Sequence, residues 1–188
     1  FVTKALRDAG NLNFDEPFTR LFHQGMITKD SMKMSKSRGN TVSPDEFIER
    51  YGSDTFRAYL MFMGPYDEGG DWNDKGINGI QRFLNKAWNM CKPHRIRSNT
   101  VTKKDLQVLH YTIKTTTKDL SKMKFNTAIS RLMEFTNYFS AKASIDENAL
   151  NIFLLLIAPI TPHFAEELWH ELGNKDSIFD QRMPDYDQ

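Results

Sequence analysis

MKMSKSRGN, Met32 to Asn40, packs three cations, two hydroxyls and a glycine into one short stretch. Lys33, Lys36 and Arg38 supply the charge, Ser35 and Ser37 the hydroxyls, and Gly39 a residue free to bend. Two methionines are too little apolar surface to hold such a loop down. A Lys-Ser-Lys-Ser string followed by Arg-Gly offers ammonium, hydroxyl and backbone N–H donors to an oxyanion. That suits phosphate in general, and the charge developing in phosphoryl or adenylyl transfer in particular. One charge-assisted hydrogen bond contributes about 1.5–3 kcal/mol. Made only in the transition state, it speeds the step about tenfold to a hundredfold. Composition alone favours a plainer reading, a solvated surface loop, because basic runs are common and mostly idle.

Elements can be placed on either side of the loop. SPDE, Ser43 to Glu46, reads as a helix start: Ser43 caps, Pro44 suits the first helical position, and Glu46 completes a capping box. Phe47, Ile48 and Tyr51 form the expected buried stripe, and Gly52 ends the helix. Ser53 and Asp54 restart one that runs through Phe56, Tyr59, Leu60 and Phe62 to Gly64–Pro65. Upstream, GMIT is extended, and Glu16 to Phe22 reads as a short helix with Pro17 in its first turn. Phe1, Val2, Ala5 and Leu6 read as the last turns of a helix stopped by Gly10. The opening has no initiator Met and no signal-peptide pattern; with the tail MPDYDQ, this predicts a piece of a longer protein. Gly, Pro and Asp cluster in PYDEGGDWND, which predicts a boundary dividing residues 1–70 from 71–188.

Beyond that boundary the periodicity is helical. Ile77, Ile80, Phe83, Leu84, Ala87, Trp88 and Cys91 share one face, and Pro93 stops that helix before the basic loop HRIRSNT. Leu106, Leu109, Ile113 and Leu120 stripe a second helix; Ala128, Leu132, Phe135 and Phe139 stripe a third. A fourth, from about Asp146 to Ala158, is apolar on most faces and should lie centrally. Thr161–Pro162 is expected to cap a fifth, which ends at Gly173. Short connections between long amphipathic helices imply an antiparallel bundle and a mainly α fold. Trp88, Phe135, Phe139, Phe153 and Trp169 are at core spacing. Trp72 is read either as a core residue or as a seat for the bundle.

Length and composition set bounds on function. A chain of 188 residues buries roughly 70% of its unfolded surface, enough for a core without staples. The net charge of +1 means that any nucleic-acid contact must come from local basic patches. Cys91 is the only cysteine, so neither an internal disulfide nor a Cys-rich zinc site is available. That points to a reducing, cytoplasmic compartment. The longest apolar run, Ile152 to Ile160, is far shorter than the ~20 residues of a membrane span. No metal site and no membrane partner are expected.

KMSKS, Lys33 to Ser37, is similar to the signature loop of the class I aminoacyl-tRNA synthetases, and RGN continues as in those enzymes. GNTVSPDEFIERYGSDTFRAYLMF resembles the segment after that loop in the leucine, isoleucine, valine and methionine enzymes. LLLIAPITPHFAEELW resembles the last helices of their anticodon-binding bundle. MFMGPYDEGGDW and FDEPFTRLFHQGMI resemble the leucyl family within that group, and the resemblance covers essentially the whole chain. The fold it implies is the end of a Rossmann-type catalytic domain bearing the KMSKS loop, followed by an antiparallel α-helical anticodon-binding bundle. The chemistry it implies uses ATP and Mg2+ to make an aminoacyl-adenylate, then transfers the aminoacyl group to tRNA. For the leucyl family the substrates are leucine and tRNA(Leu). By motif position, Lys36 is the first candidate for the catalytic phosphate contact and Lys33 the second. Met34, Ser35 and Ser37 complete the ATP-binding loop, with Met34 packing inward. Gly39 permits a hinge and Asn40 fixes the turn.

Two departures qualify that picture. The His-x-Gly-His string that partners KMSKS is absent, and none of His23, His94, His110, His163 or His170 stands in such a context. The chain alone is therefore expected not to activate leucine. Only TKDS, Thr28 to Ser31, separates GMI from MKMSK, which leaves room for a tight turn and not for an inserted domain.

A second candidate site lies in the helical part. Lys114, Lys118 and Lys122 recur every four residues on one helix with Tyr111 in line, and Lys103, Lys104, Arg95 and Arg97 lie near one end. Phosphate contacts from such a stripe position RNA without reading sequence. The alternative is a solvated helix face. Two rival readings of the whole chain remain: the methionyl, valyl or isoleucyl enzyme, or a non-enzymatic helical tRNA-binding module with a vestigial loop. Glu166–Glu167 and Asp45–Glu46 read as helix-surface charges.

Overall fold

The structure is a computed structural model that describes residues 1–93 and 101–186; His94, Arg95 and Arg97 lie outside the described residues. The protein is mainly helical, with one small sheet that carries the basic loop. Strand β1 (Met26–Lys29) and strand β2 (Met32–Lys33) form an antiparallel hairpin. Asp30 and Ser31 turn it with φ of 53° and 58°, the paired left-handed conformation that matches the twist of a tight hairpin. Strand β3 (Gly69–Trp72), drawn from the expected boundary stretch, pairs with β1 in parallel, giving the order β2-β1-β3. Gly69 permits this approach: its φ is +85°, and a Cβ there would sit 2.1 Å from the Met26 carbonyl oxygen. Asp71 pins the hairpin turn by accepting from the Thr28 hydroxyl at 2.6 Å and the Ser31 N–H at 2.9 Å.

Helix α1 (Val2–Asp8) stops before Gly10, as its sequence predicts. The helix expected at Glu16 to Phe22 does not form. Phe18 and Leu21 are exposed there, so a stretch this short has no packed face to offset the cost of helix nucleation. Helices α2 (Pro44–Tyr51) and α3 (Ser53–Phe62) meet at Gly52, φ 84°. The Ser43 capping box does not form, and Ile48 is exposed while Phe47 and Tyr51 are half-buried. Trp72 is a core residue, held edge-on by Phe47 and Tyr59 at centroid distances of 4.8 and 5.1 Å.

Helices α4 (Ile77–Met90), α5 (Lys103–Ser121), α6 (Phe125–Ser140), α7 (Glu147–Ile157) and α8 (Pro162–Glu171) follow. Helix α6 packs on α4, α5 and α7, and α7 also packs on α5 and α8. Phe135 joins Phe139 and Phe153 in the centre of this packing, at 4.3 and 5.3 Å between centroids. Leu106, expected inside, is exposed; it lies in the first turn of α5 at the edge of the stripe, and Thr112 and Thr116 take the inner positions. Trp88 is half-buried, with the Lys92 ammonium 4.6 Å above its ring.

Helix α3 ties the two stretches together. Thr161, expected to cap α8, makes no side-chain cap. Asp54 replaces it: one carboxylate oxygen accepts from the Phe164 N–H and the other pairs with His163 Nδ1 at 3.0 Å. One turn later, Arg57 donates to the carbonyls of Pro159 and Ile160, both at 3.3 Å.

Candidate nucleotide-binding loop and basic helix face

The loop is better ordered than its composition predicts, and the order comes from its own polar groups. Ser35 precedes a single 3-10 turn, Lys36–Arg38, which Gly39 ends in the left-handed conformation at φ 66°. Asn40 fastens both sides of this turn. Its Oδ1 accepts from the Ser35 N–H at 2.8 Å, and its Nδ2 donates to the Lys33 carbonyl at 3.3 Å. The Ser35 and Ser37 hydroxyls lie 2.8 Å apart and bond to each other. Met34 is half-buried against the core and anchors the loop from below, as expected.

The cations remain available. Among the described residues, Lys33, Lys36 and Arg38 take part in no ion pair. Lys36 lines an open cleft of about 850 Å³ together with Lys29, Ser43, Glu46, Arg50 and Asp74. Lys33, exposed on β2, is not part of that lining, so the structure does not bring the two lysines to one cavity. Lys29 and Arg50 are cleft residues that sequence reasoning missed. One comes from β1 and the other from α2, and nothing in either local string marks them. The cleft's three cations and the hydroxyls of Thr41 and Ser43 suit a polyphosphate. Among the described residues no three His, Cys, Asp or Glu side chains converge as a metal cage.

Lys114, Lys118 and Lys122 are all exposed, the first two on α5 and the last at its C-cap. Lys118 and Lys122 take part in no ion pair among the described residues. Lys114 Nζ lies 5.6 Å from the centre of the Tyr186 ring. At the start of the same helix, Thr102 and Asp105 form a reciprocal capping box. Asp105 also accepts from Tyr138 at 2.8 Å and from Lys142 at 2.7 Å. Burial alone would raise the Asp105 carboxyl, but the bonds from Lys142, Thr102 and Tyr138 outweigh it and hold the group well below the usual carboxylate range.

Residues 2–73 match the family model of tRNA synthetases class I (I, L, M and V). Residues 103–188 match that of the anticodon-binding domain of tRNA ligase. Across its full length the chain is 44% identical to a leucine–tRNA ligase of Dehalococcoides mccartyi, 47% to one of Clostridium botulinum and 45% to one of Thermotoga petrophila. It spans 24–25% of the length of these relatives. The LeuRS of Agrobacterium radiobacter, solved as a ternary complex with tRNA and LeuAMS, superposes with a TM-score of 0.82 at 28% identity. That match covers 97% of this chain and 26% of the other. No helix among the described residues is long and apolar enough to cross a membrane. With both ends matched by synthetase models and its whole length matched by leucine–tRNA ligases, the chain belongs to the class I aminoacyl-tRNA synthetases, in their leucyl branch.

Proposed function

We propose that this chain is the loop-bearing end of the catalytic domain, together with the anticodon-binding bundle, of a cytoplasmic leucine–tRNA ligase. Residues 1–70 correspond to the end of a Rossmann-type domain and residues 71–188 to an antiparallel helical bundle. The whole enzyme uses ATP to form leucyl-adenylate and pyrophosphate, then transfers leucine to tRNA(Leu). Lys36, which lines the cleft and takes part in no ion pair among the described residues, carries the reading. Its ammonium stabilises the triphosphate while the α-phosphate is attacked, and Lys33 approaches the same anion from the hairpin as the loop closes. Ser35 and Ser37 donate hydroxyl bonds or shape the turn, and Met34 keeps the loop seated. Mg2+ would supply charge neutralisation to the bound triphosphate; among the described residues no three His, Cys, Asp or Glu side chains converge to hold it.

On the helical side, Lys114, Lys118 and Lys122 contact the tRNA backbone. Replacing all three by Gln in the full-length enzyme is expected to raise the Michaelis constant for tRNA; an unchanged value removes them from the interface. For the loop, Lys36→Ala in the full-length enzyme is expected to slow leucine activation about tenfold to a hundredfold. Unchanged charging with normal tRNA affinity would instead support a non-enzymatic tRNA-binding module. The isolated chain is expected to show no leucine-dependent ATP–pyrophosphate exchange, because the His-x-Gly-His half of the site is not in it.

A further inference from the structure

Around the lysine stripe the structure sets aromatic rings beside cations. At 3.6 residues per turn, Gln107, Tyr111, Lys114, Lys118 and Lys122 fall within one narrow arc of α5. Tyr111 is 52% exposed in the middle of that arc. The Arg131 guanidinium, from α6, lies 5.6 Å from the Tyr111 ring centre. Arg131 is itself held by both carboxylate oxygens of Glu134, at 3.1 and 3.0 Å. One turn along α5, Lys114 sits over the ring of Tyr186, which comes from the C-terminal segment and is also exposed. Three separate parts of the chain therefore deliver two rings and their cations to one surface.

A duplex backbone has use for the lysines alone. A surface that alternates rings with cations matches RNA whose bases are unstacked, because bases stack on aromatic faces while the cations follow the phosphates. The cation over each ring adds to this by preordering the tyrosine. We propose that Tyr111 and Tyr186 form a stacking platform for unpaired nucleotides of an RNA, with Lys114, Lys118 and Lys122 neutralising the adjoining phosphates. This deepens, and rests on, the tRNA-binding reading of the helical part.

The test uses the full 188-residue chain and two probes, a twelve-nucleotide single-stranded RNA of mixed sequence and the same RNA paired with its complement. Binding is followed by fluorescence anisotropy across a range of salt. The parent chain should prefer the single strand. Tyr111→Ala should weaken single-strand binding about fivefold to a hundredfold, leave the salt slope unchanged and leave duplex binding unchanged. Tyr111→Phe should stay within about twofold of the parent, since a phenyl ring still stacks. Replacing Lys114, Lys118 and Lys122 by Gln should reduce the slope of log affinity against log salt by about 2 for the single strand. Lysine-dependent binding that is indifferent to Tyr111→Ala, or equal affinity for both probes, overturns the platform and leaves the tRNA-binding reading standing. Failure of the parent chain to bind either RNA at low salt overturns both. Circular dichroism spectra matching the parent's confirm that each variant is folded.

Discussion

The carboxylate of Asp54 accepts the backbone N–H of Phe164 at 2.6 Å, across 110 residues of sequence. With Arg57 on the carbonyls of Pro159 and Ile160, one turn of α3 supplies an anion to the start of α8 and a cation to the turn just past the end of α7. Both charges have the sign the helix dipoles favour. Removing the cap by Asp54→Ala should cost about 1–2 kcal/mol in urea unfolding. Thr161, the residue that sequence rules nominate as the cap, is fully buried and caps nothing. Thr161→Val should therefore lie within about 0.5 kcal/mol of the parent, because it removes a hydroxyl that stabilises little.

Asn40 should control the order of the basic loop without controlling the fold. Its two bonds reach across the Lys36–Arg38 turn to Lys33 and Ser35, and it lies outside the apolar core. Asn40→Ala is expected to speed tryptic cleavage at Lys33, Lys36 or Arg38 about fivefold per lost bond, for a bond worth about 1 kcal/mol. The melting temperature should move little. Unchanged cleavage would show that the loop is held by Met34 alone.

Acid should loosen the start of α5 through Asp105. Its folded carboxyl titrates below the ordinary range, so its stabilising contribution is complete above the unfolded value, near pH 4, and is lost as pH falls below that. Asp105→Asn should cost about 1–3 kcal/mol at pH 7. The gap from the parent in denaturant titrations should narrow steadily from about pH 5 towards pH 2. A gap that stays constant over that range would mean that the bonds from Lys142 and Tyr138 do not depend on the carboxylate charge.

Two glycines with similar left-handed φ should respond differently to a methyl group. At Gly39 a Cβ meets nothing within 4 Å, so Gly39→Ala should cost only the backbone term, about 1–2 kcal/mol. At Gly69 the Cβ would strike the Met26 backbone as well, and the β1–β3 pairing must open to admit it. Gly69→Ala should cost about 3 kcal/mol or more, by thermal denaturation. Equal costs would mean that the strand pairing yields easily.

What the sequence made legible was local. The stripe Ala128, Leu132, Phe135 and Phe139 is read correctly because a helix repeats its inward face at fixed spacing, and all four are buried. Leu106 is misread because it sits at the edge of its stripe, in a first turn whose buried side is taken by Asp105 under Tyr138 of α6. Glu16 to Phe22 is misread because propensity and Pro17 favour a helix that has nothing to pack against. The basic loop that places Lys36 at the cleft is visible from its motif. Lys29 and Arg50 reach the same cleft only through the hairpin and α2. Asp54 looked like an ordinary helix start, and its partner at Phe164 is a tertiary fact that no local window contains.

Residues 2–73 and 103–188 answer to different family models, yet they do not have separate interiors. Ala58 and Tyr59 of α3 and Trp72 of β3 belong to the same buried cluster as Phe135, Phe153 and Leu168. A chain built this way has no internal seam along which to come apart by halves. It should melt in a single cooperative transition, with calorimetric and van't Hoff enthalpies in agreement. The stretch that carries the basic loop and the stretch that carries the basic helix face then gain or lose their structure together.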